Sequence, residues 1–212
     1  MPCTVVLIRH GQTYWNAVKK FQGQVNIPLN QTGIEQVHRL QKQLADYPIE
    51  ICYTSPLTRS YETARIALEG HGDVPMVKDE RLMEQSYGVL EGQESRLTDH
   101  GYELVDEQKV YNEDPAHYVG GIGSESFEQL YARAQGVLDD LIFPEAKRRN
   151  CFMVSGHGAI DAAILGRIYD IPLKDFWSAK LDHSGFAALK VEDRQVRVVA
   201  SSSERLLHLF AQ

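Results

Sequence analysis

Two kinds of hydrophobic pattern alternate along this chain. Cys3 to Ile8, Ile49 to Thr54 and Cys151 to Ser155 are near-continuous apolar runs of strand length, as expected for strands covered on both faces. Gly185 to Val191 and Val196 to Ala200, joined through Glu192-Asp193-Arg194, predict a late hairpin. Between these runs the apolar period lengthens to that of a helix. Ile34, Val37, Leu40 and Leu44 follow Thr32-x-x-Glu35, a capping-box pattern. Ser55-Pro56 predicts an N-cap with proline at the first helical position, ahead of Leu57, Tyr61, Ala64 and Leu68. Ser126-x-x-Gln129 opens a third helix, with Phe127, Leu130, Ala134, Val137 and Leu141 as its buried stripe. A fourth begins near His157 and runs through Leu165 to about Tyr169. The alternation predicts a three-layer αβα sandwich with a mostly parallel sheet.

No repeat, low-complexity tract or linker-like stretch divides the chain, so residues 1–212 are expected to form one domain. The polar, mixed segment 93–123 follows neither period and reads as a lid-like insertion of loops and short helices. Composition is that of an ordinary soluble chain: 43% hydrophobic, 24% charged, mean hydropathy −0.33. No apolar run reaches membrane-spanning length, and Met1 to Gly11 lacks the basic and long apolar regions of a signal peptide. A cytoplasmic protein is expected, without a membrane partner. A net charge of −7 argues against nucleic acid as a partner. Cys3, Cys52 and Cys151 are odd in number, widely spaced and embedded in strand-like runs, which predicts buried, reduced thiols.

An open α/β sheet binds its ligands outside the carboxyl ends of its strands. Arg9-His10-Gly11-Gln12-Thr13 follows the first run, Ser55-Pro56-Leu57-Thr58-Arg59 the second, and Gly156-His157-Gly158 the third. Each residue alone has a plainer explanation: a hydrogen-bonded structural histidine, or a glycine that forms a turn. Arg59 near a helix start is less comfortable as a structural residue, because a cation there opposes the helix dipole. Two Arg and two His at three strand ends form the local positive cluster that an acidic chain would need to hold phosphate. Other nucleophile schemes fit poorly. Cys52 and Arg59 are separated by six residues, one more than a C-x5-R loop requires, and no G-x-S-x-G, Walker A or H-E-x-x-H pattern is present. Metal-ligand spacing is also lacking, so neither a metal nor any other cofactor is expected.

These residues carry a family resemblance. Leu7-Ile8-Arg9-His10-Gly11-Gln12-Thr13, with Trp15-Asn16, resembles the R-H-G-x-T-x-W-N signature of the histidine phosphatase superfamily, which includes the cofactor-dependent phosphoglycerate mutases. Four more blocks resemble the family's in order: Gly23 with Pro28-Leu29 and Gly33; Ser55-Pro56-Leu57-x-Arg59 to Thr63-Ala64; Leu82-x-Glu84-x-x-Tyr87-Gly88-x-x-Glu91-Gly92; and Val154-x-Gly156-His157-Gly158. The resemblance implies a phosphoglycerate mutase-like fold and a phosphohistidine intermediate on His10. It also implies Arg9, Arg59 and His157 as stabilisers of the phosphoryl oxygens and Glu84 as proton donor and acceptor. Asn16, Gln22, Gly23 and Gly158 are implied to line the phosphate site.

The expected activity is that of a histidine acid phosphatase-type phosphoric monoester hydrolase, acting without metal on a small phosphorylated metabolite. The alternative is a 2,3-bisphosphoglycerate-dependent phosphoglycerate mutase. The segment after Glu84 is net acidic and lacks the mutases' Arg-Arg pair, while Ser124-Glu125-Ser126 resembles the phosphatase branch. A third reading is a non-catalytic phosphate-binding protein, against which every matched catalytic position is filled. Relatives are often dimers, so a homodimer is a further expectation. Asp161, one turn beyond His157, is expected either to border the pocket, disfavouring substrates with an extra carboxylate, or to be a surface helix charge.

Overall fold

A computed structural model describes residues 2–93, 106–118 and 122–210. Six strands form a single mixed sheet: β1 (Cys3–Arg9), β2 (Cys52–Thr54), β3 (Met76–Lys78), β4 (Cys151–Gly156), β5 (Phe186–Glu192) and β6 (Gln195–Ser201). Their order is β3-β2-β4-β1-β5-β6. The first four in that order run parallel, and the β5–β6 hairpin adds antiparallel to β1. The main helices are α1 (Tyr14–Ala17), α2 (Gln31–Leu44), α3 (Thr58–Ala67), α4 (Asp106–Glu113), α5 (Phe127–Val137), α6 (Phe143–Ala146), α7 (Gly158–Ile168) and α8 (Glu204–Phe210).

Side chains along a strand alternate between the two faces of its sheet, and this sorts the core into two layers. Val5 and Leu7 of β1 join Phe152 and Val154 of β4 under α5 and α7. Val6 and Ile8, with Cys52 and Met153, pack under Val37, Leu40 and Leu44 of α2 and Ala64 and Ala67 of α3. The three-layer αβα sandwich is therefore present, with the central strands buried on both sides. All three cysteines are buried free thiols.

Several boundaries differ from those expected. Asn30, not Thr32, caps α2, its side chain accepting from the Gly33 amide at 2.8 Å. The close approach of the β1 end explains this register: a Cβ on Gly33 would lie 2.1 Å from the Gln12 carbonyl oxygen. α3 starts at Thr58, two residues past Pro56, and Ser55 Oγ instead accepts from the Leu57 amide at 3.2 Å. The second strand is only Cys52–Thr54, although Glu50 and Ile51 still hydrogen-bond to β4. α1, β3, α6 and α8 are additional to the elements that the sequence pattern predicts. Within 93–123, the described residues include α4 and a 3₁₀ turn at Pro115–His117. The rest of the lid-like insertion, 94–105 and 119–121, lies outside the described residues. Among the described residues, no helix is long and apolar enough to cross a membrane.

Candidate active site

Parallel pairing brings three strand ends level. Arg9 pairs with Gly156 and Thr54 with Ser155, so the segments that follow β1, β2 and β4 leave the sheet side by side. Hydroxyls then tie these segments together. Ser60 Oγ donates to the Ser155 carbonyl at 3.0 Å, holding α3 against β4. Thr63 Oγ1 accepts from the Gly11 amide at 3.1 Å and donates to the Arg59 carbonyl at 2.7 Å, holding α3 against the β1 end. The result is a cleft of about 620 Å³ lined by Arg9, His10, Arg59, Glu84 and Gly158, with Asn16, Gln22 and Gly23. Lys20, Lys180, Tyr87, Tyr111, Glu113 and Trp177 line it as well.

His10 is 2% exposed, and its Nδ1 lies 2.7 Å from the Gly11 carbonyl oxygen. A carbonyl can only accept, so Nδ1 carries the proton and Nε2 keeps its lone pair. Burial, followed by the neighbouring cations Arg59 and Arg9, pushes the ring well below the usual imidazole range. The imidazole is thus held neutral, in the tautomer a nitrogen nucleophile needs.

The cations are anchored by carbonyls. Arg59 is fully buried and donates through Nη1 to Val25 (2.9 Å) and through Nη2 to Gly23 (2.7 Å). Gly23 presents that carbonyl from a left-handed turn, at φ +52°. Burial lowers the Arg59 guanidinium to about 10, which still leaves it charged at neutral pH. Arg9 donates through Nη1 to Leu181 (2.7 Å) and is 3.0 Å from His183 through Nη2. Among the described residues, no acidic side chain forms an ion pair with Arg9 or Arg59. Asn16 and Gln22 add donors: their side-chain oxygens accept from the Thr13 amide (3.1 Å) and hydroxyl (2.8 Å), leaving each NH₂ for the cleft.

Glu84 sits at the N-terminus of α7. Its Oε1 accepts from the amides of Gln85 (2.9 Å), Ala159 (3.0 Å) and Ile160 (3.4 Å), while Oε2 has only the Ala159 amide at 3.3 Å. Oε2 is therefore the freer oxygen for carrying a proton. His157 is buried behind the cleft rather than on its wall, with its ring centroid 5.0 Å from that of His10. Among the described residues neither His157 nitrogen has a partner, and burial together with Arg59 and Arg9 pushes this ring well below its ordinary range too.

Eight of the nine expected site residues line one cleft, and the ninth, His157, lies behind it beside the His10 ring. Asp161 does not match either expectation. It is fully buried, outside the cleft wall, and neither carboxylate oxygen has a partner among the described residues. Burial and the nearby Glu84 raise its carboxyl well above the usual range. The reason lies in α7, which is covered all round: every residue from Gly158 to Gly166 is buried. His183, which no motif marked, enters the site through Arg9. Among the described residues, no group of three or more His, Cys, Asp or Glu could hold a metal ion.

The chain belongs to the histidine phosphatase superfamily, branch 1, whose model matches residues 5–203. It is 27% identical over 195 residues to phosphoserine phosphatase 1 of Hydrogenobacter thermophilus, covering 90% of this chain and 88% of that one. It is 31% identical over 165 residues to a 2,3-bisphosphoglycerate-dependent phosphoglycerate mutase of Gloeobacter violaceus, covering 76% and 73%. Among solved structures, Bacillus stearothermophilus YhfR superposes with a TM-score of 0.82 at 26% identity, over 93% of this chain and 96% of that one. The alpha-ribazole phosphatase of Shigella flexneri shares the fold, with a TM-score of 0.79 at 22% identity over 94% and 96%.

Proposed function

We propose that the protein is a metal-independent phosphomonoesterase acting through a phosphohistidine on a small phosphorylated metabolite. The observation that carries this reading is the tautomer of His10: a buried, neutral imidazole with Nε2 free, facing a cleft whose guanidinium groups have no carboxylate partner among the described residues. A phosphate dianion supplies the missing negative charge. Its equatorial oxygens take hydrogen bonds from Arg9, Arg59, Asn16 and Gln22, donors fixed in advance by carbonyls and by Thr13. Such preorganised charge supplies most of the catalysis in phosphoryl transfer.

In the first step Nε2 of His10 forms a bond to phosphorus as the P–O bond to the leaving alcohol breaks. Glu84, through Oε2, gives that oxygen a proton. In the second step water attacks phosphorus, Glu84 takes its proton, the N–P bond breaks and inorganic phosphate leaves. The charge that develops on the His10 ring as it bonds to phosphorus lies beside the neutral, unpartnered ring of His157.

Lys20 and Lys180 on the cleft wall support a second reading, in which a second anionic group of a phosphoglycerate is held and the phosphoryl group passes to another hydroxyl. Hydrolysis of p-nitrophenyl phosphate in EDTA, with His10→Ala as control, tests the first reading. Loss of turnover on chelation counts against it. Interconversion of 2-phosphoglycerate and 3-phosphoglycerate, dependent on added 2,3-bisphosphoglycerate and faster than release of phosphate, establishes the second.

A further inference from the structure

The loop that enters β5 grips the end of β1 from behind. The Leu181 carbonyl accepts from Arg9 Nη1 at 2.7 Å, and His183 Nε2 lies 3.0 Å from Arg9 Nη2. The Gly185 carbonyl accepts from the Arg9 amide at 3.0 Å, and the Ser184 amide donates to the His10 carbonyl at 3.2 Å. Four contacts from five consecutive residues thus hold Arg9 and the nucleophile. Ser184 makes its contact while buried and left-handed, at φ +54°. A residue other than glycine stays there only where its surroundings over-determine it.

A guanidinium has only donors, so His183 Nε2 must be the acceptor and its ring proton must sit on Nδ1. An imidazolium could not accept this bond. Arg9 and Lys180 are the cations that face His183, and with burial they push its ring down to about 3. The accepting form is therefore present throughout the neutral range.

We propose that His183 is a positioning residue for Arg9, its Nε2 lone pair fixing the guanidinium plane so that the remaining N–H groups point at the phosphoryl oxygens. Two anchors on different nitrogens, Leu181 and His183, define the plane of a rigid fork; one anchor leaves it free to rotate. His183 is not on the cleft wall, and its ring centroid is 5.9 Å from that of His10, so it acts through Arg9 rather than on substrate.

The test uses the full chain as wild type, His183→Ala and His183→Gln. Gln carries an accepting oxygen to about the reach of Nε2 and cannot titrate. The expected result is a fall in kcat/KM for p-nitrophenyl phosphate of roughly 10–100-fold in His183→Ala, with a parallel loss of affinity for inorganic phosphate measured by calorimetry. His183→Gln recovers most of both losses, while the two variants melt at similar temperatures. Wild-type phosphate affinity in His183→Ala overturns the proposal, as does a His183→Gln variant as impaired as the alanine one. The turnover readout rests on the phosphatase reading above, but the phosphate affinity does not. Turnover that survives His10→Ala would defeat that reading and leave the binding comparison to decide the role of His183.

Discussion

Replacing Arg59 with Met keeps most of the side-chain volume and removes the charge and the fork. In the fold this guanidinium is fully buried and donates to two carbonyls, at 2.7 and 2.9 Å. Two charge-assisted bonds contribute on the order of 3–6 kcal/mol together. Against this, burial lowers the group to about 10, so keeping it charged costs on the order of 3 kcal/mol. The net loss of stability expected for Arg59→Met is thus about 0–3 kcal/mol, within the usual 5–15 kcal/mol reserve of a folded domain. Catalysis loses more. Removal of one preorganised donor to a developing charge typically costs about 3–4 kcal/mol, or 10²–10³ in rate. The assay pairs urea unfolding with kcat/KM for p-nitrophenyl phosphate, each with and without inorganic phosphate. Wild type should gain about 2.7 kcal/mol of stability at a phosphate concentration a hundredfold above its Kd, and Arg59→Met far less. Arg59→Lys should not rescue activity, because an ammonium cannot span both carbonyls and phosphate. A folded Arg59→Met variant with kcat/KM near wild type would refute the reasoning, as would a loss of activity that merely tracks the unfolded fraction.

Glu84→Gln should lower kcat on alkyl phosphates by about 10²–10⁴-fold but much less on p-nitrophenyl phosphate, whose acidic phenol leaves without a proton; equal losses on both would remove Glu84 as the proton donor. His10, His157 and His183 are all held below the ordinary imidazole range. As pH falls below about 6.5, the unfolded chain takes up protons that the fold refuses. Stability therefore drops by about 1.4 kcal/mol per group by pH 5.5, and a flat denaturation midpoint from pH 7.5 to 5.5 would contradict this. The Asp161 carboxyl is raised by burial and by Glu84, so the unfolded chain releases its proton above about pH 4 while the fold retains it. Asp161→Asn should accordingly be more stable than wild type at pH 7, the advantage vanishing below pH 4; a variant less stable at pH 7 would show that the carboxyl has a partner the unliganded fold does not reveal.

The chemistry was legible because it lies where two independent signals meet. Apolar runs marked Cys3 to Ile8 and Cys151 to Ser155 as buried strands, and the polar residues just beyond them, Arg9-His10 and His157, had to emerge at one sheet edge. Most of what escaped depends on packing that no local pattern encodes. β3 spans three partly exposed residues and α8 seven, too short to show a period. Thr32-x-x-Glu35 is a sound capping pattern, yet Asn30 caps α2 because Gly33 must seat against the Gln12 carbonyl. A surface charge at Asp161 presumes a helix with one wet face, whereas every residue of α7 from Gly158 to Gly166 is buried. The run Ala159, Ile160, Ala162, Ala163, Ile164 and Leu165 carried that signal. His183 follows no motif, and only the fold brings it within 3.0 Å of Arg9 across 174 positions of sequence.

The most direct test of covalent phosphoryl transfer is rapid quench of the enzyme with a radiolabelled phosphomonoester, followed by mapping of the label. A phosphorylated species on His10 that forms within one turnover, decays at the rate of phosphate release and is labile to acid but stable to base is the expected result. Full-rate turnover with no such species, or with the label on another residue, would contradict it.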